Sequence, residues 1–239
     1  MKAMLTAKIE TNVVSGKIGT SSFKKFGVSV MKSSAGNNKN SFFGIIVFGR
    51  QAEHEYRKGD KVSVDGVLTV EPFQVNPEKD TVMTALISSR YITIADSAAH
   101  EYAKAYNVLG NLTRDAELKS LSEGKMVAST DLACDDKSSG EKLTSYVKLA
   151  LFNKQATGLH PYLLKGKQVL VDGALSATYF DKKGDAGKGL DVTILVDDFK
   201  FTGSRNNASN DSKHNAQIPG EPDDLPSIDV DDENDEIPF

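Results

Sequence analysis

The chain has 239 residues, 39% hydrophobic and 26% charged, with a formal net charge of −4. These proportions describe a soluble globular protein with a polar portion, and no apolar run approaches the roughly 20 residues of a membrane helix. A single cysteine, Cys134, excludes an internal disulfide, and charges interrupt the first ten residues too early for a secretory segment, so a reducing cytosol is the expected compartment.

Charge is unevenly spread. Residues 1–97 carry 13 Lys and Arg against 9 Asp and Glu, residues 98–203 carry 14 of each, and residues 204–239 carry 2 against 10. The acidity is gathered in a tail, and the part expected to fold is mildly basic. That asymmetry points to nucleic acid at one end and a protein partner at the other.

In chain order, β-branched and aromatic runs lie near 4–14, 25–32, 41–48, 61–70 and 82–95, then near 106–112, 125–134, 144–152, 167–177 and 190–202. Clusters of Gly, Asn, Asp and Ser separate them, with long polar loops at 33–40, 135–143 and 181–189, as in a barrel or sandwich. Helix-like pieces fall at 50–57 and 154–164, each between a third and a fourth run. From 204 the hydrophobic periodicity stops, and a flexible linker to about 230 followed by an acidic-hydrophobic tip is expected.

The two sets of runs are copies. FGRQA at 48–52 recurs as FNKQA at 152–156, an offset of 104. KGDKVSVDGVL at 58–68 recurs as KGKQVLVDGAL at 165–175, an offset of 107 shared by Phe73 and Phe180. Three residues are inserted between these blocks. The expected architecture is all-β: two tandem five-stranded OB-fold barrels, at 1–97 and 98–203, each with a short helix between strands three and four, followed by the tail at 204–239.

Alternation along the third strand separates two faces. In copy two, Val147, Leu149 and Leu151 form a core face, and Tyr146, Lys148, Ala150 and Phe152 form the other. In copy one, Phe43, Ile45 and Val47 face inward, and Phe42, Gly44, Ile46 and Phe48 face outward. Outward aromatics in both copies suit single-stranded nucleic acid, because every base has a π face on which such rings stack. Phe73, Phe180 and Tyr179 add stacking positions past strand four. Lys24, Lys25, Lys148, Lys154, Lys182, Lys183 and Lys188 are placed to follow phosphates. Any one of these aromatics also suits closing a core or a subunit interface. Without tryptophan, Phe and Tyr carry all the stacking.

The tip, Asp235, Glu236, Ile237, Pro238 and Phe239, suits a basic pocket with an apolar floor: the acidic run steers and the Phe anchors. It resembles the C-terminal peptide of bacterial single-stranded-DNA-binding proteins, an acidic run ending in Pro-Phe. The likeness continues in NVLGNLTRDAEL at 107–118, LALF at 149–152, Lys165-Gly166 and VLVDGAL at 169–175. It implies that Tyr146, Phe152 and Phe180 are base-stacking residues; Phe42, Phe48 and Phe73 fit more loosely. Copy one lacks the Gly-Asn-Leu signature, and the family's tryptophan between strands two and three has no counterpart. The resemblance implies a cytosolic binder, nucleoid- or fork-associated, that coats single-stranded DNA and recruits replication, recombination and repair proteins through its tip. It also implies a Deinococcus/Thermus-like homodimer presenting four barrels, whether bacterial, plasmid-borne or phage-encoded. The competing reading is an OB-fold assembly module with little DNA binding.

No catalytic constellation is present. His54, His100, His160 and His214 lack ligand spacing, and one cysteine makes no zinc knuckle, so neither metal nor cofactor is expected. GDAGKG at 184–189 lacks the spacing of a phosphate loop and reads as a turn. Cys134 reads as a packed residue, and Asp135 and Asp136 as part of a polar loop.

Overall fold

The computed structural model describes residues 1–32, 39–74, 80–121, 124–136, 143–182 and 187–202. The expected linker and tip, Asp235 to Phe239 included, lie outside the described residues, as does Lys183.

In the first half the strands are β1 (Lys2–Ile9), β2 (Val14–Ile18), β3 (Ser21–Lys32), β4 (Lys39–Phe48), β5 (Lys61–Phe73) and β6 (Val82–Ile94). In the second they are β7 (Tyr102–Leu112), β8 (Glu117–Ser120), β9 (Met126–Asp136), β10 (Leu143–Phe152), β11 (Gln168–Asp181) and β12 (Lys188–Phe201). Going round the first half, β1 pairs β3, β3 pairs β4, β4 pairs β6 in parallel, β6 pairs β5, and β5 returns to β1. The second half repeats this as β7, β9, β10, β12, β11 and back to β7. Each circuit is a closed barrel with the connectivity of the OB-fold.

The five barrel strands of each half match the expected runs. The short strands β2 and β8 are additions, hairpinned against β3 and β9 outside the circuit. Most of their side chains are exposed, so they lack the alternating burial by which a strand is read from sequence.

The connection after strand three differs between halves. Gly49 (φ 61°) and Asn153 (φ 50°) occupy equivalent positions and both turn the chain through the left-handed region. In the first half a 3-10 turn, Gly49–Glu53, follows and stops short of the expected 50–57. In the second, helix α1 (Asn153–Leu159) runs into a 3-10 turn at His160–Tyr162. The three inserted residues therefore lengthen the helical cap of barrel two.

The repeated Val-Asp-Gly motif acquires a structural reason. Ladder register shifts between Asp65 and Gly66 in β5, and between Asp172 and Gly173 in β11. A Cβ at Gly66 would stand 2.4 Å from the Ser88 carbonyl oxygen, and one at Gly173 would stand 2.1 Å from that of Leu195. Only glycine lets the neighbouring backbone approach that closely where the barrel strand bends. The preceding aspartates accept hydrogen bonds beside the bend: Tyr106 of barrel two donates its hydroxyl to Asp65 of barrel one at 2.5 Å, and the Asn107 N–H is donated to Asp172 within barrel two. The hydrogen bond to Asp65, with burial adding to it, pushes the Tyr106 phenol up to about 12.

The barrels join strand to strand. β1 and β7 pair antiparallel with Ala3 opposite Ala105 and Leu5 opposite Ala103, which makes all twelve described strands one sheet. Equivalent buried serines add a contact on each side. Ser41 donates to Ser176 at 3.3 Å, and Ser145 accepts the Val70 N–H at 3.0 Å.

Replacing Gly173 by Ala pushes a methyl into backbone that cannot move aside, and should destabilise the chain by about 1–3 kcal/mol. Gly158→Ala, in α1 with nothing within 4 Å, should be neutral or stabilising by up to about 1 kcal/mol. Denaturant midpoints compare the two; equal midpoints would remove the closure role given to Gly173.

Candidate nucleic-acid interface

The antiparallel register of β3 with β4 sets outward side chains in rows: Phe23 beside Phe48, Lys25 beside Ile46, Gly27 beside Gly44, and Ser29 beside Phe42. The inward set, Phe26, Val28, Phe43, Ile45 and Val47, is at most 2% exposed. Phe42 and Phe48, by contrast, stand 40% and 41% exposed. Phe73 is half-buried at the end of β5, beside Gly44. The Lys25 ammonium lies 5.4 Å over the Phe73 ring and donates to the Gln74 carbonyl. Lys24 is on the opposite face of the strand, donating to the His54 carbonyl and lying 5.8 Å over Tyr56. It braces the barrel end and does not join the aromatic row.

Barrel two repeats the arrangement with different chemistry. Its rows are Val127 and Phe152, Ser129 and Ala150, Asp131 and Lys148, Ala133 and Tyr146. Tyr146 is 63% exposed, Phe152 40% and Phe180 51%. Phe180 lies over Gly189, its partner on β12, where a Cβ would strike the ring at 2.3 Å. Lys148 reaches both carboxylate oxygens of Asp191 at 3.2 and 3.3 Å, and Thr193 donates to the same carboxylate at 3.3 Å. Arg114 donates to Asp131 at 2.6 Å, and that bond holds the guanidinium above its ordinary range. Lys154, Lys182 and Lys188 are exposed.

Tyr179 leaves this set and crosses to barrel one. Its ring centroid is 6.5 Å from that of Phe42, and its hydroxyl is 3.5 Å from Thr84 Oγ1. Between the hairpin β11–β12 and strand β4 lies a groove of about 780 Å³ lined by residues of both barrels, among them Gly27, Phe42, Gly44, Tyr179 and Lys188.

Three features escaped the sequence reading. Phe23 packs over Gly16 across the β2–β3 hairpin, with its centroid 6.4 Å from that of Phe48. Its outward parity on β3 was the available signal. The Gly27–Gly44 row and the Asp191 partner of Lys148 emerge only from cross-strand register. Cys134 is 3% exposed, and burial pushes its thiol up to about 12, so it packs as a small apolar group. Among the described residues, no three His, Cys, Asp or Glu side chains gather as a metal site would, and no helix is long and apolar enough to cross a membrane.

Comparison with known proteins follows the same division. The model of the single-strand binding protein family matches residues 104–202, which hold nearly all of barrel two. Single-stranded DNA-binding protein 1 of Staphylococcus aureus is 34% identical over 110 residues, 44% of this chain and 68% of that protein. The single-stranded DNA-binding protein of Helicobacter hepaticus is 29% identical over 167 residues, 55% of this chain and 96% of that one. The crystal structure of the wild-type single-stranded DNA binding protein from Thermus aquaticus matches with a TM-score of 0.57 at 18% identity, covering 88% of this chain and 96% of that chain. A deletion mutant of the same protein matches at 0.59. At such identity the structural likeness is one of fold, and it spans both barrels. The sequence likeness to the staphylococcal protein supplies the kinship: this chain belongs to the single-strand binding protein family.

Proposed function

We propose that this chain coats single-stranded DNA without regard to sequence and performs no chemistry on it. The observation that carries the reading is the repeated outward aromatic row on a barrel whose inward face is closed. Large rings left at 40–63% exposure in equivalent places of two barrels gain most by stacking on bases. In barrel one the stacking residues are Phe42, Phe48 and Phe73; in barrel two they are Tyr146, Phe152, Tyr179 and Phe180, with Lys148 meeting phosphate. The tandem domains are 1–97 and 98–203. Two copies associate to present four barrels. The outward face of the joined sheet supports this, since Tyr91, Tyr102 and Leu109 stand 60%, 43% and 50% exposed there. The segment 204–239 works in the cytosol as a docking tail, whose tip from Asp235 to Phe239 recruits replication, recombination and repair proteins.

Titration with oligo-dT of increasing length should give tight, length-dependent binding, absent with matched duplex. The logarithmic salt slope should be about −0.7 per phosphate neutralised, and the unliganded sample should sediment at the mass of two chains. Phe48→Ala and Phe152→Ala should each weaken binding by about five- to a hundred-fold, the range for one base–aromatic stack. A loss of stability with binding unchanged would return these rings to a packing role.

Lys148 is held by Asp191 in an exposed pair of the kind worth only about 0–1 kcal/mol, so phosphate can displace the carboxylate. Asp191→Asn should therefore raise affinity at low salt and steepen the slope, because no freed carboxylate is left to take up a cation when phosphate reaches Lys148. An unchanged slope would take Lys148 off the DNA path.

Deleting Phe239 should leave oligo-dT affinity nearly unchanged and abolish partner recruitment. A truncated chain that loses DNA would end this division of labour.

A further inference from the structure

We propose that the outward face of the joined sheet takes a second copy of this chain in one orientation, barrel one of each copy lying over barrel two of the other, with Arg90 of each set against Asp197 of the other. The inference rests on the association of two copies proposed above and adds to it which barrels meet and which residues decide it.

A single row of residues runs across this sheet. Gly66 is the partner of Ala3, Ala3 of Ala105, and Ala105 of Gly173. At each end the row reaches a register shift. The β5–β6 ladder steps from Asp65–Tyr91 to Gly66–Ser89 and passes over Arg90. The β11–β12 ladder steps from Asp172–Asp198 to Gly173–Val196 and passes over Asp197. Arg90 and Asp197 are therefore equivalent, at the offset of 107. A glutamine holds each backbone in the same way: Gln51 donates to the Arg90 carbonyl and Gln155 to the Asp197 carbonyl, both at 2.9 Å. An extra residue in one strand leaves the ladder and re-aims its side chain, and both of these are exposed. Asp197 reaches Lys104, which points outward between the buried Ala103 and Ala105. Arg90 is near enough to the outward Tyr106 for its charge to act on that phenol. Both charges thus belong to the outward face.

The face carries apolar side chains, and its two ends are not alike. Met4 and Leu170 are half-buried, and Tyr91, Tyr102 and Leu109 are exposed, so association removes apolar surface from water. That gain does not choose an orientation. Charge does, because the same place holds a cation in barrel one and an anion in barrel two. Among the described residues no carboxylate forms an ion pair with Arg90. Asp197 meets Lys104 at 3.8 Å with both side chains exposed, an arrangement weak enough to admit a second cation.

Sheets packed face to face lie about 10 Å apart with their strands within about 30° of one another. A two-fold axis between two such faces then leaves two arrangements. With the axis across the strands, barrel one covers barrel one, Arg90 meets Arg90 and Asp197 meets Asp197. With the axis along the strands, barrel one covers barrel two and two Arg90–Asp197 pairs form. Both residues stand at the ends of the row through Ala3 and Ala105, so the second arrangement brings each pair to one level. The long arginine side chain takes up the offset that sheet twist introduces. Like charges set opposite one another are costly, and the first arrangement has two such places. The apolar surface holds the copies together, and the charges at its ends select the orientation.

The test is sedimentation of the full chain across a concentration series, with Arg90→Glu and Asp197→Arg measured apart and mixed. Each variant alone meets like charges in the orientation proposed, and its self-association should weaken by about ten-fold or more. An equimolar mixture of the two should recover the mass of two chains, because each changed residue then faces the opposite charge on its partner. Recovery on mixing also excludes misfolding as the cause of the loss. Variants that self-associate as strongly as the unaltered chain, or that stay apart when mixed, would overturn the orientation and leave the two-copy assembly standing. An unaltered chain that sediments at the mass of one chain throughout the series would instead overturn the association itself.

Discussion

The pairing of β1 with β7 determines how the outward faces of the two barrels stand relative to one another. Side chains alternate with a period of two, so a slip of one residue along this seam would set the inward Ala3 and Leu5 of one barrel opposite the outward Lys104 or Tyr106 of the other. Burial of the alternate set therefore specifies the register strongly. Small residues on the inner side let two barrel walls meet without crowding. On the outer side, Tyr106 of one barrel gives its hydroxyl to Asp65 of the other, and Lys2 lies 6.0 Å over the same ring. With the seam fixed, hairpin β11–β12 is carried against β4, and Tyr179 arrives beside Phe42. No local property of either barrel would place those two rings together.

The barrels share a skeleton and differ in surface electrostatics. Barrel one presents a hydrocarbon and aromatic face interrupted by the facing glycines Gly27 and Gly44, with Lys25 resting on the Phe73 ring. Barrel two presents aromatics around charges already matched with partners, Lys148 with Asp191 and Arg114 with Asp131. A matched exposed pair adds little to stability, but it changes what a phosphate encounters: a competitor that must first be displaced. On the proposed reading, contact with barrel one depends mainly on stacking and shape, and contact with barrel two depends also on exchanging one anion for another. The mild positive charge of residues 1–97 and the neutrality of residues 98–203 are the coarse outline of this difference.

Much of this was legible in the sequence because it depends on period and repetition. Alternation along 42–48 and 146–152 left Phe42, Phe48, Tyr146 and Phe152 exposed and the expected core residues buried, while Gly44, Ile46 and Ala150, expected outward, are covered by neighbouring side chains and buried. The offsets of 104 and 107 located the longer cap of barrel two. What escaped was whatever depends on a neighbour across the ladder. Asp191 is 43 residues from Lys148, Gly44 is 17 from Gly27, and Phe23 is 25 from Phe48, and no periodicity links such pairs. β2 and β8 escaped for the opposite reason, being too exposed to carry a burial pattern. In the first half the expected helix contracted to a 3-10 turn, since fewer residues separate Phe48 from β5 than Phe152 from β11.

The duplicated chain also separates what folding demands from what a surface is free to vary. Positions that keep the same character in both halves serve closure: the Val-Asp-Gly register shifts at 64–66 and 171–173, the left-handed residues Gly49 and Asn153, and the buried Ser41 and Ser145. Each has a steric or hydrogen-bonding reason that any barrel of this size must meet. Positions that differ lie in the outward rows, where Gly27 and Gly44 face Asp131 and Lys148 as counterparts. A barrel can be recognised as kin by sequence only while such rows stay close to those of its relatives. The family model accordingly begins near the start of barrel two and runs to its end, while the fold continues across both. Barrel one meets the same constraints of closure as barrel two with a different outward surface, because those constraints leave that surface open.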